Sequence, residues 1–184
     1  SGIGLVEYPA PLSVKSIQPG DVIIVNGTLG DHGAAVIAAR EKLSLSSDLL
    51  SDTAPLNGLI AGILQVSPHV HCMRDATRGG LGAILAEIAQ AAQMRIDIDE
   101  KNMPIQDNVR GICEILGFDP LYLANEGKIV VFCAESDART VLQTMQQHTY
   151  GRNAALIGQL GSSTPGRVGL KLIIGGERLI DMQK

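Results

Sequence analysis

Hydrophobic positions along the chain change period several times, and each change marks an element. Residues 21–25 (DVIIV) form a continuous apolar run that ends at Asn26-Gly27, which predicts a buried strand. The following GTLGDHGAAVIAAR predicts a helix over residues 32–42 with Asp31 as its N-cap. Thr53 as a capping hydroxyl, with Pro55 in the first turn, announces a second helix through LNGLIAGILQV that stops before Ser67-Pro68. A short strand over residues 70–73 then leads into CMRDATRGGLGAILAEI. There Leu81, Ile84, Leu85, Ile88 and Ala89 recur at helical spacing, so a helix starts near Gly79 or Gly80. RIDIDE alternates as a half-exposed strand, residues 104–116 predict a helix closed by Gly117, and KIVVFC is again a buried strand. A helix over residues 136–148, capped by Ser136 and ended by Gly151, completes the alternation.

The tail changes character. AALIGQL, RVGLKLII and ERLID read as three strands joined by tight turns, the first at Ser-Ser-Thr-Pro-Gly and the second at Gly175-Gly176, a good hairpin signal. Helices and strands alternate early and strands cluster late. The expected fold is therefore α+β, a mixed β-sheet flanked by helices. A length of 184 residues fits a single domain, with the Gly/Pro-rich residues 1–20 as an arm. That arm reads like the middle of a longer polypeptide, and the chain stops at Lys184 just after ERLID, so a fragment is expected.

Composition narrows the function classes. Hydrophobic residues make up 45% of the chain, but it has no Trp, two Phe and three Tyr, so its core must be aliphatic. The net charge of −4 and the absence of Lys/Arg clusters argue against nucleic acid or an anionic membrane as partner. No apolar run approaches the ~20 residues that cross a bilayer, and the N-terminus carries no secretory signal pattern. Cys72, Cys113 and Cys133 are odd in number and widely spaced, which reads as reduced thiols of a cytoplasmic protein.

Three polar clusters sit at the mouths of regular elements. In the first, Asp75, Thr77, Arg78, Gly79 and Gly80 precede a helix whose start offers backbone N–H groups and a dipole to phosphate or carboxylate. Arg78 could add a two-pronged contact, with Asp75 holding it or facing a phosphate-bound metal; an ordinary cap beside a surface arginine is the plainer alternative. In the second, Asp31, His32 and Gly33 follow Gly30, and a simple N-cap at Asp31 explains most of the pattern. In the third, Asn125, Glu126, Gly127 and Lys128 lead into KIVVFC. Glu126 is expected to be partly desolvated there, which would raise its pKa and suit it to proton transfer; a polar turn feeding a strand is the alternative. His69 and His71 share a strand face from which Cys72 points away, so no metal site is expected.

GDHG, SDTAPLNGL, HCMRDATRGGL, LANEGK, GRNAALIG and GGERLIDM, in that order, closely resemble the C-terminal domain of the hydrogenase maturation factor HypE family. This family lies within the superfamily of aminoimidazole ribonucleotide synthetase (PurM), selenophosphate synthetase and thiamine monophosphate kinase. The resemblance covers essentially the whole chain and implies a PurM C-terminal-domain-like fold. It implies an ATP-dependent carbamoyl dehydratase, which turns an S-carbamoyl group on its own C-terminal cysteine into a thiocyanate, the source of the cyanide ligands of nickel–iron hydrogenase. Glu126 and Asp75 are then the expected catalytic residues. Thr77, Arg78, Gly79, Gly80, Asp31, His32, Gly33 and Asn125 are the expected substrate- and phosphate-binding set. ATP and magnesium belong to the intact protein, whose N-terminal domain and cysteine-ended tail have no counterpart in these residues. This chain alone is expected to bind neither and to be inactive. Further partners implied are the carbamoyltransferase HypF and the HypC–HypD scaffold complex. Another enzyme of the superfamily, or a non-catalytic partner-binding module, is the alternative.

Overall fold

In the computed structural model, which describes residues 5, 7–41, 49–161 and 165–182, seven strands form one sheet. The elements run β1 (Val22–Val25), α1 (Asp31–Arg40), α2 (Asn57–Val66), β2 (Val70–Asp75), α3 (Gly80–Ala92), β3 (Arg95–Asp99), α4 (Asp107–Leu116), β4 (Ile129–Cys133), α5 (Ala138–Gln147), β5 (Ala155–Gly161), β6 (Val168–Lys171) and β7 (Glu177–Ile180). The strand order is β2-β4-β1-β5-β3-β6-β7. Every neighbouring pair is antiparallel except β3 with β6, so the sheet is mixed, as expected from the sequence.

β1 and β4 are apolar throughout because both of their faces are covered. Ile23, Val25, Val130 and Phe132 turn toward α3, whereas Val22, Ile24, Val131 and Cys133 turn toward α2 and α5. A third, smaller cluster joins α1 to α4 through Ala34, Val109, Ile112 and Leu123. α3 has no side-chain cap, since its N-cap Gly79 lies in the left-handed region. Burial holds it instead. Leu81, Leu85 and Ile88 are fully buried, and each contributes about 1.5–3 kcal/mol, more than the ~1 kcal/mol of a typical cap. The arm is docked: the Tyr8 hydroxyl donates to the Ser67 carbonyl and accepts from the Val70 N–H, both at 2.9 Å.

Several boundaries depart from the sequence reading, each for a tertiary reason. α1 begins at Asp31 rather than after it, because Gly30, not Asp31, is the N-cap; residue 42, its expected end, lies outside the described residues. α2 begins at Asn57 without a side-chain cap, because residues 52–54 pack against the turn around Gly127 and the Thr53 hydroxyl pairs with Ser51. α4 begins at Asp107, since the Pro104 carbonyl accepts the Leu29 N–H and Gln106 is extended. Ser136 lies in a 3-10 turn and donates to Asp137, so it does not cap α5. β2 runs two residues beyond the expected 70–73, pairing through to Asp75 opposite Ile129. β6 and β7 form the expected hairpin at Gly175-Gly176, both glycines at positive φ. β5 does not pair with β6: it lies between β1 and β3, and residues 162–164 of the expected turn fall outside the described residues.

Candidate functional site

Four segments converge at the carboxyl end of β1 and the start of β4. The turn over residues 126–129 is their centre. The Asn26 side chain reaches it from the end of β1, accepting from the Ile129 N–H (2.8 Å) and donating to the carbonyls of Gly127 (3.1 Å) and Tyr150 (2.8 Å). Asp52, ahead of α2, accepts the Glu126 N–H through Oδ1 (3.0 Å) and the Lys128 ammonium through Oδ2 (2.6 Å). Lys128 Nζ lies 3.8 Å from Asp31 Oδ2 as well. The three charged side chains are 5–9% exposed, so a cation is buried between two carboxylates. Such a charge is tolerable only while paired.

Asp31 is thus a member of this buried network. It accepts from the Thr28 hydroxyl and from Gln106 Nε2 (2.9 Å). The local N-cap reading fails because these partners, not the first turn of α1, occupy its oxygens. Beside the network lies a cleft of about 340 Å³. Residues 26–28, 51–54 and 127–128 line it, together with Thr149, Tyr150, Arg152 and Asn153 after α5. Asn26, Asp52 and Arg152 carry no local sequence signal of function. Asp52 meets Lys128 from 76 residues away, and the hydroxyls flanking it in SDTAP look like helix capping alone.

Glu126 stands beside this cleft on the fixed turn. Its side chain is 45% exposed, so solvent reaches it. Glu126 lies in the bend ahead of β4, not in the ladder, so strand alternation does not set its direction. Lys128, just before the first strand residue Ile129, is the one that turns inward. Glu126 Oε1 lies 4.0 Å from His32 Nε2, and His32 Nδ1 lies 2.8 Å from Ser51 Oγ, which is 2.8 Å from Thr53 Oγ1. The imidazole and the two hydroxyls are hydrogen-bonded in a row along the surface, and the Glu126 carboxylate stands just beyond hydrogen-bond distance of the imidazole.

Asn125, expected to hold a substrate group, is fully used in the scaffold. Its Oδ1 accepts the Gly30 N–H (2.8 Å), and its amide donates to the Ala76 (2.9 Å) and Leu123 (3.2 Å) carbonyls. Gly33 serves close packing: a Cβ there would sit 2.9 Å from the Leu123 Cβ, and its N–H donates to the Ala124 carbonyl. Through Asn125 the second and third clusters are joined to Ala76, in the middle of the first.

The first cluster itself is more exposed and less bound. Asp75 accepts the Thr77 hydroxyl (2.7 Å) and pairs with no cation among the described residues, so it does not hold Arg78. Arg78 and Gly79 are exposed. Gly80 is buried at φ +64°, and a Cβ on it would lie 2.5 Å from the carbonyl oxygens of Leu121 and Leu123. Its N–H is donated to the Thr77 carbonyl (3.1 Å), which removes it from the expected anion-binding set.

The thiols face inward. Burial pushes Cys72 and Cys113 up to about 11 and Cys133 up to about 12, which suits packing and not nucleophilic attack. His69 and His71 each meet a carboxylate, Asp137 at 3.1 Å and Asp21 at 2.7 Å. Among the described residues no group of three or more His, Cys, Asp or Glu is placed to hold a metal ion, and the buried carboxylates of Asp31 and Asp52 are paired with Lys128.

A family model described as AIR synthase related protein, C-terminal domain, matches residues 18–171. The carbamoyl dehydratase HypE of Rhodobacter capsulatus is 44% identical over 182 residues, covering 99% of this chain and 54% of that protein. A crystal structure of the hydrogenase maturation protein HypE in complex with ATP matches with a TM-score of 0.90 at 37% identity, over 94% of this chain and 53% of the other. A crystal structure of a HypE–HypF complex matches with a TM-score of 0.87 at 40% identity, over 92% and 55%. The chain spans about half the length of the relatives it matches.

Proposed function

The chain belongs to the family of AIR synthase related protein C-terminal domains, and from this premise we propose that it forms one half of a carbamoyl dehydratase of HypE type. The other half is an N-terminal domain that brings ATP and its magnesium. Residues 1–20 link the two halves. The reaction moves the γ-phosphoryl group of ATP onto the oxygen of a cysteine-bound carbamoyl group. Phosphate then departs with that oxygen as the nitrogen gives up its two protons, leaving a thiocyanate, ADP and phosphate. HypF as donor of the carbamoyl group, the HypC–HypD complex as acceptor of cyanide, and a cytoplasmic location with reduced thiols complete the proposal. The names of the close relatives favour it over selenophosphate synthetase or thiamine monophosphate kinase chemistry.

One observation carries the reading: a solvent-reachable carboxylate, Glu126, stands on a turn whose backbone is tied down beside a polar cleft. The removal of nitrogen protons needs such a base held in position. Asp75 and the Thr77–Arg78 loop, linked to the turn through Asn125 and Ala76, are assigned to the phosphate side. In the full-length protein, Glu126→Gln keeps ATP binding and melting temperature but slows dehydration by roughly two to four orders of magnitude. Lys128 does not confound this test, because it pairs with Asp52 and Asp31 rather than with Glu126. A Gln variant that converts the carbamoylated cysteine at the wild-type rate overturns the assignment.

A further inference from the structure

The catalytic carboxylate proposed above is held by a turn in which three consecutive residues are each fixed by the same partner. Asp52 Oδ1 accepts the backbone N–H of Glu126 at 3.0 Å. At Gly127 a Cβ would land on the Asp52 carbonyl oxygen, so only glycine lets the turn approach this closely. The ammonium of Lys128 donates to Asp52 Oδ2 at 2.6 Å. The Asp52 carboxylate is 5% exposed, and both of its oxygens are committed to the turn. Glu126, by contrast, has no hydrogen-bonded side-chain partner among the described residues, with His32 Nε2 4.0 Å from its Oε1. Among the described residues no hydrogen bond holds the carboxylate of Glu126, so its location is set by its backbone, and its backbone N–H is set by Asp52.

We infer that Asp52 is a positioning residue for Glu126, acting through the Glu126 N–H and the Lys128 ammonium to fix where the base meets the substrate nitrogen. The inference rests on the proposed role of Glu126. Its effect belongs to the chemical step: a displacement of about 1 Å at a reacting group can cost about 100-fold in rate. Binding of ATP by the other half is untouched by it.

The test is a double-variant cycle in the full-length protein, with carbamoylated tail as substrate and thiocyanate formation as readout. Asp52→Ala slows dehydration about 100-fold and leaves the KM for ATP at the wild-type value. Lys128 retains Asp31 in this variant, which favours folding. Asp52→Ala combined with Glu126→Gln is no slower than Glu126→Gln alone, because a positioning residue has nothing left to position. Asp52→Asn keeps an oxygen acceptor for the Glu126 N–H at nearly unchanged volume. It gives a smaller loss in the same cycle and serves if the alanine variant does not fold. Fold-losses that multiply in the double variant, or a wild-type rate with both substitutions of Asp52, overturn the inference while leaving Glu126 as the base. A wild-type rate in Glu126→Gln alone overturns the base assignment and this inference with it.

Discussion

The Asp75–Gly80 loop and the 126–129 turn are neighbours joined through Asn125, and they invert between sequence and structure. The loop is prominent in the sequence, with an acid, a hydroxyl, an arginine and two glycines in front of a strongly periodic helix. In the structure its charged side chains are exposed, and only the small residues Ala76 and Gly80 are deeply built in. The turn reads as an ordinary polar approach to a strand, yet Asn26, Asp31, Asp52 and Lys128 bury their polar groups around it. Local density of polar residues reports what a segment shows to solvent. Commitment to a fixed geometry depends on partners that are distant in sequence.

Removing the buried cation tests that contrast most severely. Lys128→Met leaves the carboxylates of Asp31 and Asp52 facing each other without a counter-ion, at 6% and 5% exposure. Loss of one partner from a buried ion pair costs about 3–5 kcal/mol, and chemical denaturation measures it directly. A cost below about 1 kcal/mol would place Lys128 among ordinary surface charges and dissolve the distinction between the two regions.

Gly80, buried like Ala76 within the otherwise exposed loop, sharpens the comparison. Gly80→Val meets two carbonyl oxygens at 2.5 Å and a backbone at φ +64°, so overpacking and strain add to about 2–4 kcal/mol. Gly79 sits at φ +75°, but its Cβ would meet only the Ala83 methyl, 2.6 Å away within the same helix. Gly79→Ala therefore costs less than Gly80→Val, which the two melting temperatures establish.

Much of the fold was legible because its signals are short-ranged. VIIV and IVVFC, the strand residues of β1 and β4, are apolar at every position because helices cover both faces, and the β6–β7 hairpin is written in Gly175-Gly176. Helix starts were less legible. Thr53 and Asp31 have the chemistry of caps, but tertiary partners claim them: the Ser51 hydroxyl for one, Thr28 and Gln106 for the other. Within the site, Glu126 and its neighbours were found just ahead of the strand, but the expected burial of Glu126 was not. Glu126 falls in the bend three residues before β4 begins at Ile129, where no strand periodicity governs which way a side chain points. Asp52 was missed because an isolated acid between two helices carries no local signal of a partner 76 residues away.

Cys72 probes the comparison from inside the prominent motif. A reactive thiol there would make the Asp75–Gly80 loop a chemical centre in its own right. Its raised pKa of about 11, caused first by burial, predicts alkylation by a small reagent near neutral pH about a hundred-fold or more slower than in the unfolded chain. The same shift fixes a sign for stability. The unfolded thiol ionises near 8.5 while the folded one keeps its proton, so the unfolded state binds fewer protons above that pH. Stability is fully present below about pH 8.5 and falls as pH rises through the folded values of about 11 to 12, with Cys113 and Cys133 contributing in the same direction. Cys72→Ala makes that alkaline decline shallower, a change that denaturation curves recorded between neutral and alkaline pH resolve.

The smallest effects belong to the residues that first draw the eye. Asp75 is exposed, its one side-chain contact among the described residues is the Thr77 hydroxyl, and Arg78 is exposed beside it. Substitutions at such positions shift stability by about 0.5 kcal/mol or less, so Asp75→Asn and Arg78→Ala should unfold at nearly the wild-type denaturant concentration. The physical reason is that water already solvates both charges, and neither removal leaves a buried group without a partner. Any strong consequence of these variants must then appear in the catalysed rate of the full-length protein, where the loop meets a phosphate, and not in the fold. A loss of about 2 kcal/mol or more for Arg78→Ala would show that its guanidinium is docked on the protein after all. The loop would then join the 126–129 turn as a built-in part of the scaffold, and the contrast between loop and turn would collapse.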